Sequence, residues 1–149
     1  MQIRFTTKAF EDLHLHELYE LLKLRQAIFV VEQNCPYLDA DDKDQIAQHL
    51  LGYAGKELLA YARILPRGIS YPDCASIGRV IVATAARGKK QGHILMQHAI
   101  ATTQKLYPET PIKISAQAHL QKFYERLGFR ATGEAYLEDN IPHIGMLLS

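Results

Sequence analysis

The sequence predicts a mixed α/β fold, with a central mixed β-sheet carrying helices on both faces. Three observations lead there. "QHLLGYA" and "ELLAYARIL" are strand-like runs separated only by Gly55-Lys56, which reads as an antiparallel hairpin. "ASIGRVIVA" (Ala75–Ala83) is β-branched and almost continuously apolar towards its end, as expected of a buried central strand. Directly after it the pattern changes to helical periodicity, and strands and helices alternate along the chain.

Taken in order, "QIRFT" (Gln2–Thr6) alternates like a strand. Glu11-Asp12 then leads a helical stretch through Leu15, Leu18 and Leu22 that continues to about Phe29. From Val31 to Asp44 the chain reads as a polar loop, pinned by Pro36 and crowded with carboxylates. The hairpin follows, and Pro66-Arg67-Gly68 ends it. After the buried strand, a helix from Gly92 places Leu95, Met96, Ala99, Ile100, Thr103 and Leu106 on one side, until Tyr107-Pro108 stops it. "IKISA" (Ile112–Ala116) is the next strand. "LQKFYERLGF" is a short helix closed by Gly128, a residue suited to a left-handed cap. The tail "RATGEAYLEDNIPHIGMLL" reads as two strands joined through residues 138–142. The predicted order is β-α-ββ-β-α-β-α-ββ in one domain, residues 1–149, without repeats, low-complexity tracts or linkers.

Composition narrows the function. A chain of 149 residues, 48% hydrophobic, is long enough to bury a sizeable core. Lys and Arg number 17 against 16 Asp and Glu, so bulk attraction to nucleic acid or to an anionic membrane is not expected and any anion site must be local. No apolar run approaches the roughly 20 residues that span a bilayer. The N-terminal "MQIRFTTKAFEDL" lacks a basic start, an apolar core and a small-residue cleavage site, so a cytoplasmic location is expected. Cys35 and Cys74 lie far apart and form no C-x-x-C pair; two free thiols are the expectation, one bridge the alternative. Of the seven histidines, none falls in an H-E-x-x-H pattern or a Cys/His cluster, and no metal is expected.

The informative stretch is "VATAARGKKQGHILMQHAI", Val82 to Ile100. A glycine-bearing turn between a strand and a helix start is a device for holding phosphate, because consecutive amides converge and the first helical N–H groups have no partner in the helix. Gly88 and Gly92 are expected to adopt positive φ and to let the backbone approach closely, while Arg87, Lys89 and Lys90 add charge. A nucleotide P-loop would need G-x-x-x-x-G-K-[ST], and a dinucleotide fingerprint G-x-G-x-x-G; neither is present. Two readings stay open on these residues alone: a solvated basic turn that binds nothing, and a pyrophosphate site.

Arg-Gly-Lys-Lys-Gln-Gly, after a strand and opening a long helix, resembles the signature Gln/Arg-x-x-Gly-x-Gly/Ala of the GCN5-related N-acetyltransferases. Arg87 takes the first position, Lys90 replaces the middle glycine and Gly92 is the last. "LQKFYERLGF" is similar to the family's helix ending in Tyr-Glu-x-x-Gly-Phe. "LYELLKLRQAIFVVEQNCPYLDADDKDQIAQHLLGY", with "ARILP" and "YLEDNIPHIGM", resembles the ElaA-like branch, so the resemblance spans nearly the entire chain.

The resemblance implies a GNAT acyl-CoA N-acyltransferase fold and transfer of an acetyl group from acetyl-CoA to a primary amine, of a small molecule or a peptide. It implies cofactor contacts from the strand Gly78-Arg79-Val80-Ile81-Val82, along the pantetheine arm, and from Arg87, Gly88, Lys89, Lys90, Gln91, Gly92 and His93. It implies Tyr124 as the acid that protonates the departing thiolate; the bland alternative is a half-buried core tyrosine beside Phe123. Where the family often has asparagine, six residues before this tyrosine, the chain has Ala118, and His119 or Gln121 takes over. A homodimer through edge strands is common in the fold.

The acceptor amine must lose a proton, so a base is expected near the thioester. Glu32, His49, His119 and His143 are the candidates, and Glu32, beside the loop bordering the acceptor cleft, is preferred. Asp39, Asp41, Asp42 and Asp44, with Glu138 and Asp139, either attract a cationic amine or form a solvated charge run. Arg63 and Arg79 lie on neighbouring predicted strands and need partners, from Glu57 or the first-loop carboxylates. The rivals to an enzyme are a non-catalytic acyl-CoA-binding module and a structural subunit with a vestigial turn.

Overall fold

The computed structural model describes residues 2–149. Eight strands form one mixed sheet: β1 (Arg4–Ala9), β2 (Gln48–Ala54), β3 (Glu57–Leu65), β4 (Ala75–Val82), β5 (Ile112–Gln117), β6 (Arg130–Ala131), β7 (Tyr136–Glu138) and β8 (Ile141–Leu148). The order across the sheet is β1-β2-β3-β4-β5-β8-β6, with β7 also on β8, and every pairing is antiparallel except β4 with β5. The helices are α1 (Leu15–Arg25), α2 (Gln91–Leu106) and α3 (Gln121–Glu125).

The two-residue periodicity of the strands creates a core on each face. Leu51, Tyr61 and Ile81 pack with Leu21 of α1 on one side, while their neighbours Leu50 and Ala62 join Leu95, Met96 and Ala99 of α2 on the other. Helices therefore cover both faces, as expected. Leu106, expected on the buried side of α2, is 41% exposed at the end of the helix. The first strand lies further along than Gln2–Thr6, because its register with β2 runs from Arg4↔Tyr53 to Ala9↔Gln48. The helical stretch expected to about Phe29 is regular only to Arg25; from Gln26 to Glu32 it widens into a π-helix, with Gln33 N–H donating to the Ile28 carbonyl at 3.1 Å and Cys35 N–H to that of Val30 at 3.0 Å. Gly128 has φ +104°, as a left-handed cap requires. The tail carries the two expected strands plus the two-residue β6.

Two irregularities position the site. Arg63 pairs with Gly78 and Tyr61 with Ile81, so β4 holds one more residue than β3 between these rungs, and Arg79 takes φ +49° in this bulge. Further, β4 and β5 pair only at Ala75↔Ile112 and Ser76↔Lys113, then diverge.

Candidate active site

Where β4 and β5 part, a cleft of about 570 Å³ opens, reached by Arg79 and Val80 on one side and Ile114, Ser115 and Gln117 on the other. Parallel strands that stop pairing leave the facing edge of β4 from Ile77 onward without ladder partners, and the bulge at Arg79-Val80 disrupts its other edge. Val80 and Val82 are half-buried, whereas the Ile81 side chain is buried on the α1 face. Tyr124 lines the floor of the cleft. Burial pushes its phenol up to about 12, so it keeps its proton at neutral pH.

The turn between β4 and α2 departs from expectation in one respect. Positive φ falls on Gly88 (+92°), Lys89 (+53°) and Lys90 (+59°), not on Gly92, which is already helical. Two lysines thus hold a conformation usually left to glycine, and their side chains and that of Arg87 are exposed. Gln91 N–H donates to the Gly88 carbonyl at 3.2 Å, while the amides of Gly92 and His93 fall in the first turn, where the helix offers no acceptor. Phe123 ties this turn to Tyr124: its ring meets His93 edge-on at 6.5 Å and Tyr124 edge-on at 5.0 Å. A β-carbon on Gly92 would sit 3.6 Å from the same ring, in ordinary contact, so packing within the protein does not require glycine there.

Arg87 and Glu32 meet in a bidentate pair at 2.7 and 2.8 Å, and Arg87 Nε donates to the Val82 carbonyl at 3.2 Å. The Arg87 hydrogen bond holds the Glu32 carboxyl below its ordinary value, and Arg87 is raised in return. With both oxygens engaged on the surface, Glu32 does not join Tyr124 in the cleft and is poorly placed as a base. His119 is exposed on the turn before α3. His49 is fully buried, and burial holds it below its ordinary value and favours the neutral ring, in which Nε2–H faces the Asp44 carbonyl at 2.9 Å and Nδ1 accepts from the Tyr61 hydroxyl at 2.6 Å.

Of the first-loop carboxylates, Asp42 is exposed, but Asp39, Asp41 and Asp44 are not a solvated run. Arg25 contacts Asp39 at 2.8 Å and Asp44 at 2.7 Å; Arg63 contacts Asp41 at 2.7 and 2.8 Å and Asp44 at 3.0 Å; Arg79 contacts Asp39 at 2.7 Å. Of the partners expected for Arg63 and Arg79, the loop serves and Glu57 does not. Burial works to raise Asp41, but Arg63 outweighs it and brings the carboxyl down to about 2; Asp44 is lowered by Arg25 and then Arg63. Arg63 Nε is the one buried side-chain polar atom without a partner among the described residues. Arg25 was not singled out in the sequence, because a cation at helical spacing among leucines reads as solvent-facing.

Glu138 and His143, read from the sequence as a cation-attracting carboxylate and a candidate base, line the far wall of the cleft together with Ser115, which the sequence reading did not single out. Ser115 hydrogen-bonds the Tyr136 hydroxyl and donates to Glu138 Oε1 at 3.2 Å; His143, 8% exposed, stacks on Tyr136. These residues come from β5, β7 and β8, and only the tail's strand pairing unites them. Both cysteines are free thiols. Among the described residues no group of three or more His, Cys, Asp or Glu is placed to hold a metal ion, and no helix is long and apolar enough to cross a membrane.

Comparison with known proteins places this geometry in a family. Residues 29–149 match the model of the acetyltransferase (GNAT) domain. Protein ElaA of Escherichia coli is 48% identical over 144 residues, covering 92% of this chain and 94% of that protein. Its crystal structure superposes with a TM-score of 0.93 at 45% identity, covering 99% of this chain and 100% of that one. An acyl-CoA N-acyltransferase from Pseudomonas aeruginosa superposes with a TM-score of 0.94 at 46% identity and the same coverage.

Proposed function

Because the chain belongs to the GNAT acetyltransferase superfamily, in its ElaA-like branch, we propose that it moves an acetyl group from acetyl-CoA to a primary amine of a small molecule or peptide. One observation carries this reading: β4 and β5 pair at two rungs only, and the slot they leave has Tyr124 at its floor. Acetyl-CoA supplies a thioester carbonyl activated towards amines. The free edge of β4 through Val80, Ile81 and Val82 holds the extended arm as an added strand would be held. The amides of Gly88, Gly92 and His93, with Lys89 and Lys90, hold the diphosphate, and Gln91 closes the turn beneath them. Arg87 shapes the turn from outside through Glu32. A backbone N–H at the Arg79-Val80 bulge faces the negative charge that develops on the carbonyl oxygen. The Tyr124 hydroxyl donates to the departing sulfur, a role that its burial suits because the phenol stays protonated.

Tyr124→Phe removes the donor and keeps the ring. Turnover with an amine panel should fall at least tenfold, while calorimetry finds coenzyme A bound with unchanged affinity. Unchanged turnover would remove Tyr124 from the chemistry. Failure of the unmodified protein to bind coenzyme A would remove the reading altogether.

A further inference from the structure

The far wall of the cleft carries two hydrogen-bond acceptors with nothing to satisfy both. His143 Nδ1 lies 2.7 Å from the Ile141 carbonyl, which can only accept, so in the neutral ring Nδ1 bears the proton and Nε2 presents a lone pair. That Nε2 stands 3.6 Å from Glu138 Oε2, too far for a good hydrogen bond between them. Glu138 is fixed through its other oxygen by Ser115 and remains half exposed to the cleft, whereas His143 is held by β8 and by the Tyr136 ring. Two converging acceptors, one of them anionic, match a group with several N–H donors and a positive charge.

The geometry points to this pair as the acceptor subsite: a primary ammonium docks between Glu138 and His143, and His143 Nε2 removes its proton. The inference rests on the acetyl-transfer reading above and names its acceptor end. Glu138 draws the cation and orients it. One proton passes to Nε2 and on to solvent, exposing the nitrogen lone pair. The N–C bond then forms at the thioester carbonyl; as the C–S bond breaks, the nitrogen gives its second proton to Nε2 and the sulfur takes one from Tyr124. Exchange through solvent restores His143 and Tyr124, and the net reaction from the ammonium releases one proton. Other charged or titratable groups lining the cleft include Asp139 beside β7, Lys113 on β5, and Tyr71, Tyr37 and Cys35 on the connecting segments.

The test compares the unmodified protein with His143→Gln and Glu138→Gln, using acetyl-CoA and benzylamine from pH 7 to 9.5, with coenzyme A affinity as the control for folding. His143→Gln should lose at least 100-fold in kcat at pH 7, a deficit that shrinks as pH rises and the amine sheds its own proton. Glu138→Gln should raise the KM for benzylamine at least fivefold with kcat within threefold. A His143→Gln rate within threefold of the parent, or a deficit independent of pH, overturns the base; an unchanged KM in Glu138→Gln overturns the cradle. If His143→Gln fails to bind coenzyme A, His143→Asn takes its place under the same criteria. Should the parent acetylate no amine, the acetyl-transfer reading fails by itself. The subsite is then read by titrating benzylamine into the coenzyme A complex: binding weakened by Glu138→Gln upholds it, and no binding overturns it.

Discussion

Around Arg25 and Arg63, guanidinium groups meet the carboxylates of Asp39, Asp41 and Asp44 inside the protein, between α1, the first loop and β3. At Arg87 a guanidinium meets Glu32 with equally good bidentate geometry, but both side chains are more than 40% exposed. The contacts are chemically alike and the surroundings are opposite. Inside, three arginines and three aspartates neutralise one another, and no member can leave without stranding a charge. Outside, water and salt compete for both partners, so the pair is worth little and exchanges readily. Burial, not distance, sorts the first into architecture and the second into an adjustable contact beside the turn between β4 and α2.

The comparison breaks most visibly at Arg25. Arg25→Met leaves Asp39 and Asp44 short of a partner and should cost about 3–5 kcal/mol in urea unfolding. A loss below 1 kcal/mol would mean that the cluster relaxes or hydrates.

Acid sharpens the contrast. His49 is held below its ordinary value by burial, beside Arg25 and Arg63, so the unfolded chain takes up a proton that the folded chain refuses once pH falls below about 6.5. Asp41 and Asp44 are depressed when folded, so their contribution is present above the ordinary carboxylate value near 4 and is lost as pH falls towards the Asp41 value of about 2. Unfolding free energy should be flat from about pH 7 to about 9, decline below about 6.5 and fall more steeply below about 4. His49→Gln should flatten the first decline and keep the second.

The smallest effect belongs to the surface pair. Glu32→Gln should change stability by less than about 1 kcal/mol, and by less still in high salt. A loss as large as that from Arg25→Met would erase the distinction.

Much of the frame is legible in sequence because it is local. The Gly55-Lys56 hairpin, the apolar β4 and the helix after the glycine turn each announce themselves within a dozen residues. The widening of the helix at Gln26–Glu32 is not legible, since apolar spacing there fits a helix whichever carbonyl each amide selects. Nor is β6, two residues long and fixed only by its partner Leu147-Met146. In the site, Tyr124 and the turn carry motifs, and the left-handed burden on Lys89 and Lys90 hides behind them. The Arg25 cluster joins residues from distant segments, and so does the approach of Ser115 on β5 to Glu138 and His143, which the sequence offers only singly; a partner chosen by strand register leaves no local mark.

The two-rung contact between β4 and β5 has a consequence for the folded state itself. Backbone groups that a sheet ordinarily satisfies from within are left to whatever enters the gap, so a molecule seated there completes the protein's own hydrogen bonding. Such an occupant binds only the native form and adds to its stability by mass action. Persistence of the fold and supply of the occupant are therefore coupled through one unfinished seam.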